Sequence, residues 1–417
     1  ELQELEEIIR VGTGPAAVSG VSGVHRAMLG AALHEKIRRP LAVLCADEQE
    51  ARRMAADLAA LTGEAPTTLF AREWQLRDRV SASHGFEQER LDALCRMAFG
   101  KARIVVSTVD GMMQRTLPPA ALRGAVLTLR LGGEYDLREL TGQLTAAGYA
   151  RCEQVEGAGQ FAVRGGILDV YSPMSAPVRV EFFDTEIDAM GEFDIATQRR
   201  TKNIEELTVL PAAAVLPSAA EDGGMDRYLT AAYPTAVCAA DYLPKDALVL
   251  VCEGGRVMER AKSCAFEWGE DIKLLLEEGA LAGRFASLFI DMDTLARTLQ
   301  MRFPMLLCDS LPTSRYLAPP RALLSVNARQ LPSYGGSLET AAADLEHYLS
   351  SGCAVLVLCG NETRAKNLQR LLSERGVQVR LDLANQTLPK EGEAVIGLGA
   401  LSAGCEYPQL HLVILTE

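Results

Sequence analysis

The sequence predicts a multidomain α/β protein in which a mainly parallel sheet is split by a small α+β insert and followed by a small α/β unit. Three observations lead to this fold class. Unbroken apolar runs alternate with helical periodicity near the start of the chain, short segments of alternating polarity fill the middle, and the first pattern returns twice afterwards. The 417 residues also exceed what one ordinary core holds. The predicted boundaries are 1–118 and 210–325 for the two parts of the split sheet, 119–209 for the insert, 326–336 for a linker and 337–417 for the last unit.

Residues 15–115 predict the first part of the parallel sheet. The run LAVLC at 41–45 has the unbroken apolar character of a strand buried on both faces. The segment after it has the spacing of an amphipathic helix, with apolar residues at Ala51, Met54, Ala55, Leu58 and Leu61. Within it, DEQE at 47–50 is interpreted as a solvated face. A second buried strand at 104–107 completes a strand, helix and strand order that indicates parallel pairing.

The insert and the last unit are predicted from two changes in the hydrophobic pattern along the chain. Between about 125 and 209 the short alternating segments favour an antiparallel sheet, with one good helix at 137–147. Buried-strand character then returns within 241–255 and 303–310. The last unit opens with a strand at 354–359 and an amphipathic helix that Gly376 ends. Further strands are predicted there at 377–381, 394–398 and 412–415.

Composition narrows the class of protein. The net charge of −13 argues against general binding to nucleic acid, because phosphate neutralisation requires Lys and Arg. The ten cysteines form no C-x-x-C pair and no cluster with His, so we expect buried thiols in a reducing cytoplasm and no metal site. No apolar stretch approaches the ~20 residues of a membrane helix. The acidic start, ELQELEEIIR, predicts a short amphipathic helix and lacks the basic start of an export signal.

The segment GVSGVHRA at 20–27 lies where the first strand of an α/β nucleotide-binding sheet turns into its helix. Compared with G-x-x-x-x-G-K-[ST], it keeps Gly20 and has Gly23 within the loop. His25 replaces the second glycine, Arg26 the lysine, and Ala27 the hydroxyl that ligates Mg²⁺. Tight ATP binding is therefore not expected. The alternative is a Gly-rich turn that never bound phosphate.

A second degenerate element supports the phosphate-loop interpretation. An apolar strand ends in Cys252 and Glu253, where a helicase has Asp-Glu to hold the metal and activate water. Because a cysteine replaces the aspartate, both halves of the nucleotide site are predicted to be disabled. We interpret the split sheet as a degenerate helicase-like sheet of the P-loop NTPase type, with no catalytic residue, metal or cofactor.

Residues 161–200 carry the strongest resemblance to a known family. They contain, in order, the motifs R-G-x-x-[LV]-D-[LV], [RK]-[LIV]-[DE]-F-F-x-[DE]-E-I-[DE] and F-D-x-x-[TS]-Q-R. This order resembles the UvrA-binding domain that UvrB shares with the transcription-repair coupling factors (Mfd proteins). Thr185 departs from the second motif, which has an acid at that position.

The flanking segments resemble the coupling factors more than UvrB. UvrB carries an intact phosphate loop, Asp-Glu-Ser-His where this chain has CEGG at 252–255, and a tyrosine-rich hairpin where it has LFAREWQLRDRVSASHGF at 69–86. The segment VNARQLPSYGGS at 326–337 also resembles the coupling factors. The chain is thus identified, by resemblance, as the amino-terminal UvrB-like module of a bacterial coupling factor, ending before the polymerase-interacting domain and the translocase.

Strand alternation within 178–183 places Arg179, Glu181 and Phe183 on the face opposite the core residues. An arginine, an acid and a large aromatic together are typical of an interface centre. The pattern by itself also fits an alternative, in which Arg179 pairs with Glu181 at the surface and Phe183 packs under a loop.

The resemblance implies that UvrA is contacted at these positions. The candidate UvrA-binding residues are Arg164, Arg179 and Phe183, with Asp184 and Glu186 at the rim. Arg164 is expected near this strand, just before Gly165 and Gly166, where we predict a bulge or sharp twist. We expect Arg179→Glu or Phe183→Ala to abolish UvrA capture while barely changing the thermal unfolding curve.

These patterns and the resemblance predict an adaptor of transcription-coupled nucleotide excision repair that recruits UvrA and has no enzymatic activity of its own. The resemblance implies that the full-length protein is an ATP-dependent DNA translocase that displaces stalled RNA polymerase, with the sites for ATP, Mg²⁺, RNA polymerase and double-stranded DNA outside this sequence. It also implies that a C-terminal domain masks the UvrA surface, so that this chain binds UvrA constitutively. The alternatives are an active ATP-dependent helicase, a UvrB-type damage-binding excision nuclease subunit, and a DNA-binding scaffold.

Overall fold

The computed structural model describes residues 2–11, 14–71, 84–173, 175–213, 237–279, 283, 286–331 and 338–416. The helices in these ranges are α1 Leu2–Val11, α2 Gly23–Ile37, α3 Glu48–Thr62, α4 His84–Ala98, α5 Val109–Met113, α6 Pro119–Ala125, α7 Leu137–Ala146, α8 Gly254–Glu277, α9 Met292–Arg302, α10 Leu338–Ser350 and α11 Glu362–Glu374.

The strands in these ranges belong to three large sheets and two small ribbons. They are β1 Ala16–Ser19, β2 Leu41–Cys45, β3 Thr67–Leu69, β4 Ile104–Thr108, β5 Arg115–Thr116, β6 Leu127–Arg130, β7 Ala150–Arg151, β8 Gln160–Arg164, β9 Ile167–Tyr171, β10 Val178–Phe183, β11 Glu186–Phe193, β12 Arg200–Asn203, β13 Glu206–Val209, β14 Val237–Cys238, β15 Leu248–Cys252, β16 Met305–Asp309, β17 Ala322–Ser325, β18 Arg329–Leu331, β19 Ala354–Cys359, β20 Arg380–Leu381, β21 Ala394–Leu398, β22 Gly404–Tyr407 and β23 Leu412–Thr416.

The main sheet has seven strands in the order β17-β1-β16-β15-β2-β4-β3, all parallel. It combines strands from before and after the insert, which confirms the split α/β sheet. Every residue of β2, β4, β15 and β16 is buried, because helices cover both faces. One apolar core lies under α1, α2 and α3, and the other lies under α4, α5, α8 and α9.

The helix predicted after the strand at 41–45 is α3. The side chain of Asp47 accepts a hydrogen bond from the backbone N–H of Glu50, which satisfies an unpaired donor of the first turn. Gly63 ends the helix in the left-handed conformation, at φ +70°. Buried side chains of Ala51, Met54 and Leu58 then face the sheet, as the periodicity predicts.

The insert contains a six-stranded sheet in the order β12-β11-β10-β9-β8-β7, antiparallel except for the pairing of β7 with β8. Helix α7 covers one face, where Leu140 and Leu144 pack with Phe161, Leu168 and Val180. Strands β6 and β13 pair with each other and bring the two ends of the insert together. The other face of the six-stranded sheet, called the outer face below, is not covered by α7.

The last unit is a mixed six-stranded sheet in the order β18-β22-β23-β19-β21-β20, with α10 and α11 packed on it. The linker predicted at 326–336 contributes β18, which pairs antiparallel with β22. The strand predicted at 377–381 is reduced to Arg380–Leu381. The reason is that the N–H of Val377 bonds the carbonyl of Leu372 and continues the cap of α11, so this residue is not free to pair with a strand.

Among the helices in the described ranges, none is long and apolar enough to cross a membrane.

Candidate functional site

The phosphate-loop segment (residues 20–27) forms the turn from β1 into α2. Gly20 has φ +82°, and a Cβ atom there would collide with the carbonyl oxygen of Val326. Only glycine fits this approach of two backbones. His25, Arg26 and Ala27 lie in the first turns of α2, and all three are buried. The segment therefore has the position of a phosphate loop, and the backbone of Val326 packs against its first residue, Gly20.

Arg26, at the position of the phosphate-binding lysine, is bound to protein groups on every side. Its Nε donates to the Val21 carbonyl at 3.0 Å, Nη1 donates to Glu50 Oε1 at 3.1 Å, and Nη2 donates to Glu253 and to Ser310 Oγ, the latter at 2.8 Å. Only 3% of the side chain is exposed. Protein carboxylates thus supply the negative charge that a nucleotide phosphate would supply.

Glu253, the residue after β15, binds Arg26 of the phosphate-loop segment. It has a left-handed backbone conformation at the end of β15, with φ 52°. Its carboxylate binds Arg26 and also accepts from the backbone N–H of Ser310 at 3.1 Å. Cys252 before it is fully buried beside Cys308, its register partner in β16. The acid expected at the water-activating position of a helicase is therefore bound to an arginine.

Two further acids belong to this region: Glu50, which is part of the Arg26 network, and Asp309, which lies near it. The interpretation of residues 47–50 as a solvated face is wrong for Glu50, whose side chain is 10% exposed and binds Arg26. Asp309, at the end of β16, accepts from the N–H of Gly254 at 2.9 Å, and burial raises the pKa of its carboxyl group. Sequence reasoning missed both residues, although Asp309 directly ends a buried strand.

The last unit packs against the phosphate-loop segment and the helix beside it. The ring of His25 lies 2.8 Å from Ser22 Oγ through Nδ1 and meets the Tyr407 ring edge-on, with 5.3 Å between centroids. Burial lowers the pKa of His25, which favours the neutral ring. Asp57 of α3 accepts from the N–H of Ser402 at 2.6 Å and from its hydroxyl at 2.5 Å. The phosphate-loop segment and α3 thus form an internal contact with the last unit.

The side chains at this contact with the last unit offer few groups that could bind Mg²⁺ or phosphate. Ala27 carries no ligand atom, and the carboxylates of Glu50 and Glu253 are paired with Arg26. Within the described ranges, no group of three or more His, Cys, Asp or Glu side chains is placed to hold a metal ion.

A second cluster lies on the outer face of the insert. Arg164 ends β8, Arg179 lies in β10, and Asp169 lies between them in β9, opposite Arg179 in register. Gly165 and Gly166 form a two-residue hairpin turn, since Arg164 pairs with Ile167 and Gly165 has φ +62°. The bulge or sharp twist predicted at these glycines is therefore a tight turn.

Asp169 is the centre of this cluster. Its carboxylate is buried and accepts from Arg179 Nε at 2.6 Å, from Arg179 Nη2 at 2.8 Å and from Arg164 Nη2 at 2.7 Å. On its other side Arg179 donates to the carbonyl oxygen and Oε1 of Gln198, at 3.2 and 3.0 Å, and lies 4.8 Å over the Phe193 ring. The bonded carboxylate raises the pKa of Arg179. Arg164 is 49% exposed and Arg179 19%.

Phe183 stands at the tip of the hairpin of β10 and β11 and is 78% exposed. Asp184 takes the turn at φ 59°, and both Asp184 and Glu186 are exposed. The alternative of an Arg179–Glu181 pair does not match the structure, because Arg179 binds Asp169 and Glu181 binds Arg200 at 2.5 Å. Nor does Phe183 pack under a loop.

The structure brings Arg164 and Arg179 together on one carboxylate and places Phe183, Asp184 and Glu186 at the neighbouring hairpin tip. Sequence reasoning missed the supporting residues Asp169, Phe193 and Gln198. The signal was available, because each of these is a fixed position of the first or third motif quoted above. Residues 72–83, within the segment that replaces the tyrosine-rich hairpin of UvrB, lie outside the described ranges.

The fold and these two sites define a helicase-like α/β protein with an inserted domain that presents an arginine and aromatic surface. Residues 127–214 match the family model described as the UvrB interaction domain. This match covers β6 to β13, the strands that form the outer face and close the insert.

Similarity to one group of proteins extends along nearly the whole chain. The chain is 24% identical to the transcription-repair-coupling factor of Bacillus subtilis (strain 168), across 96% of this chain and 38% of the relative. It is 24% identical to that of Staphylococcus haemolyticus (strain JCSC1435), across 100% and 39%, and 26% identical to that of Staphylococcus aureus (strain MRSA252), across 79% and 31%. The chain thus spans less than two fifths of the length of these relatives. The resemblance to the UvrB-like module of transcription-repair coupling factors is confirmed.

Proposed function

We propose that this chain is a docking module that captures UvrA in transcription-coupled nucleotide excision repair. The observation that carries the proposal is Phe183, which is 78% exposed at a hairpin tip beside Arg164 and Arg179, inside the segment that matches the UvrB interaction domain. Aromatic and arginine side chains are the residues that most often dominate binding energy at protein interfaces. An exposed phenylalanine next to two arginines therefore fits a partner surface better than solvent.

The two arginines have different parts in this docking. Arg179 already directs four hydrogen bonds to Asp169 and Gln198, so it has few donors left for a partner. Arg164 is half-exposed and donates one hydrogen bond to Asp169, from Nη2. We assign Phe183 to an apolar pocket of UvrA and Arg164 to a carboxylate of UvrA, with Arg179 as the support between them. Asp184 and Glu186 complete the rim.

We infer further that this chain neither turns over nucleotide nor holds a cofactor. The support is the Arg26 network, in which Glu50 and Glu253 neutralise the cation and Ala27 offers no Mg²⁺ ligand. The name of the relatives supports a whole protein that couples transcription to repair. In it, an ATP-dependent DNA translocase outside this sequence displaces RNA polymerase, and a C-terminal domain masks the UvrA surface. We place the protein in the cytoplasm, in keeping with its free cysteines.

The test is binding of purified UvrA to the chain and to Phe183→Ala. We expect the Kd to rise about thirtyfold, which corresponds to the loss of about 2 kcal/mol typical of a central aromatic anchor. The thermal unfolding curve should stay unchanged, because the ring has few contacts to lose.

The matched control is Phe266→Ala, which removes another exposed phenylalanine, 71% accessible on α8 and outside the insert. It should bind UvrA like the unchanged chain. Equal affinities of the two alanine variants would contradict the proposed docking surface.

A further inference from the structure

Asp169 has an unusual place for a carboxylate. It lies on the outer face of the sheet but is only 1% exposed, because the side chains of Arg164 and Arg179 lie over it. A buried, unpaired carboxylate is strongly unfavourable, so the acid depends on the two arginines. They hold it by three hydrogen bonds of 2.6 to 2.8 Å.

The two arginines in turn depend on Asp169. Two guanidinium groups on neighbouring strands repel each other, and long side chains lose rotamer freedom when they are held in one geometry. A shared carboxylate removes the repulsion and fixes both groups. Gln198 and Phe193 hold the second side of Arg179, so this arginine is the more rigid of the two.

Of the two arginines in the cluster, Arg164 is the one that presents its charge at the surface. A guanidinium has five N–H donors. Arg179 commits donors at Nε, Nη1 and Nη2 to its own chain, whereas Arg164 commits one, at Nη2, and Asp169 is its one hydrogen-bond partner within the described ranges. The three side chains carry a net charge of one positive unit, directed outward through Arg164. The chemistry that matches it is a carboxylate, which binds a guanidinium with two parallel hydrogen bonds.

We propose that Asp169 is the positioning residue of the docking face: it holds Arg164 and Arg179 at a fixed place beside Phe183, so that Arg164 meets a carboxylate on UvrA. Asp169 acts through the arginines and does not touch the partner. This inference rests on the proposed function and adds to it the residue that organises the surface and the acidic chemistry of the group that it receives.

The first experiment replaces the charge and keeps the shape, as Asp169→Asn. We expect the affinity for UvrA to fall about tenfold, because the amide cannot hold two guanidinium groups together. The matched control is Glu139→Gln, which removes an exposed carboxylate of the insert on α7, the helix that covers the opposite face of the sheet, where it accepts a hydrogen bond from Gln143. It should keep its affinity within about twofold.

A double-mutant cycle separates positioning from plain structural damage. If Asp169 acts through Arg164, then Arg164→Ala weakens UvrA binding several-fold in the unchanged chain and much less in the Asp169→Asn background. Additive losses, or an Asp169→Asn variant that binds UvrA like the unchanged chain, overturn the proposal. The Nε–H resonance of Arg179 in NMR spectra gives a readout that does not need UvrA. It should shift strongly in Asp169→Asn and stay in place in Glu139→Gln.

A second variant covers the case in which Asp169→Asn fails to fold. Gln198→Asn shortens the side chain that supports Arg179, leaves no buried charge, and keeps a residue type that tolerates the φ of 59° at this position. We expect it to weaken UvrA binding several-fold, and an unchanged affinity overturns the positioning role. The proposed function and the positioning role of Asp169 can be contradicted separately. If the unchanged chain does not bind UvrA, the proposed function is wrong; if it binds and Phe183→Ala does not, while Asp169→Asn and Gln198→Asn bind normally, only the positioning role is wrong.

Discussion

Arg26 and Arg179 make the same kind of contact in two regions of the molecule, with different outcomes. Arg26 binds two carboxylates of its own chain and Arg179 binds one, and each guanidinium also binds at least one further polar group. Arg26 is 3% exposed, and its network ends inside the main sheet. Arg179 is 19% exposed, and its network continues through Asp169 to Arg164, which is 49% exposed. The Arg26 network lies inside the protein, whereas the Arg179 network reaches the protein surface through Arg164.

The difference shows that an arginine and its acids do not by themselves indicate function. What matters is whether donors remain for a partner and whether the partner has access. At the phosphate-loop segment, Tyr407 and Ser402 of the last unit cover the neighbouring helices. At the insert, the hairpin tip with Phe183 projects into solvent beside the arginines. The first region is suited to hold the molecule together, and the second is suited to bind another protein.

The largest effect is expected from Arg26→Ala. Removal of the cation takes away the partner of Glu253 and leaves Glu50 with its longer 3.5 Å contact to Arg256, and we expect the free energy of unfolding to fall by about 3 kcal/mol. Hydrogen exchange of the α2 and α3 amides, together with urea unfolding, measures the change. Arg370→Ala is the control, because its pair with Glu374 is solvent-exposed and contributes less than about 0.5 kcal/mol. Equal effects of the two substitutions would mean that the network does not hold the sheet.

An intermediate effect is expected from Arg179→Glu. The sequence led us to expect loss of UvrA capture with an unchanged thermal unfolding curve. The structure changes the second half of that expectation, because the new carboxylate would face the buried Asp169. We now expect the insert to lose about 2 kcal/mol of stability as well as UvrA binding. Phe183→Ala is the comparison, since it should lose binding alone, and an Arg179→Glu variant as stable as the unchanged chain would show that Arg164 alone can hold Asp169.

The smallest effect is expected from nucleotide. Titration of a fluorescent ATP analogue with Mg²⁺ should give no saturable signal, because Arg26 is already neutralised and position 27 lacks a hydroxyl. Binding of UvrA by the same sample serves as the check that the protein is intact. Micromolar affinity for the analogue, or measurable turnover, would show that the Arg26 network does not prevent nucleotide binding. It would favour an active helicase.

Much of the fold could be predicted from local sequence. The unbroken run at 41–45 and the alternation within 178–183 gave strands with the expected burial, because side-chain periodicity directly reflects which faces meet a core. The strand at 329–331 could not be predicted, since its three residues pair with β22, whose strand lies more than 70 positions later in the chain. The same limit applies to the misread Glu50, whose side chain pairs with Arg26 and with the distant Arg256.

The sequence by itself determined the split parallel sheet, the inserted antiparallel sheet and the residue types at 20–27, because these depend on residue type and on spacing along the chain, whereas the candidate docking positions were implied by the family resemblance. The tertiary structure decided how those residues are used. It paired Arg26 with two acids, covered the phosphate-loop segment with the last unit, and placed Asp169 beneath two arginines. Such pairings join residues up to hundreds of positions apart, and the solvation of each charge depends on all of its neighbours at once.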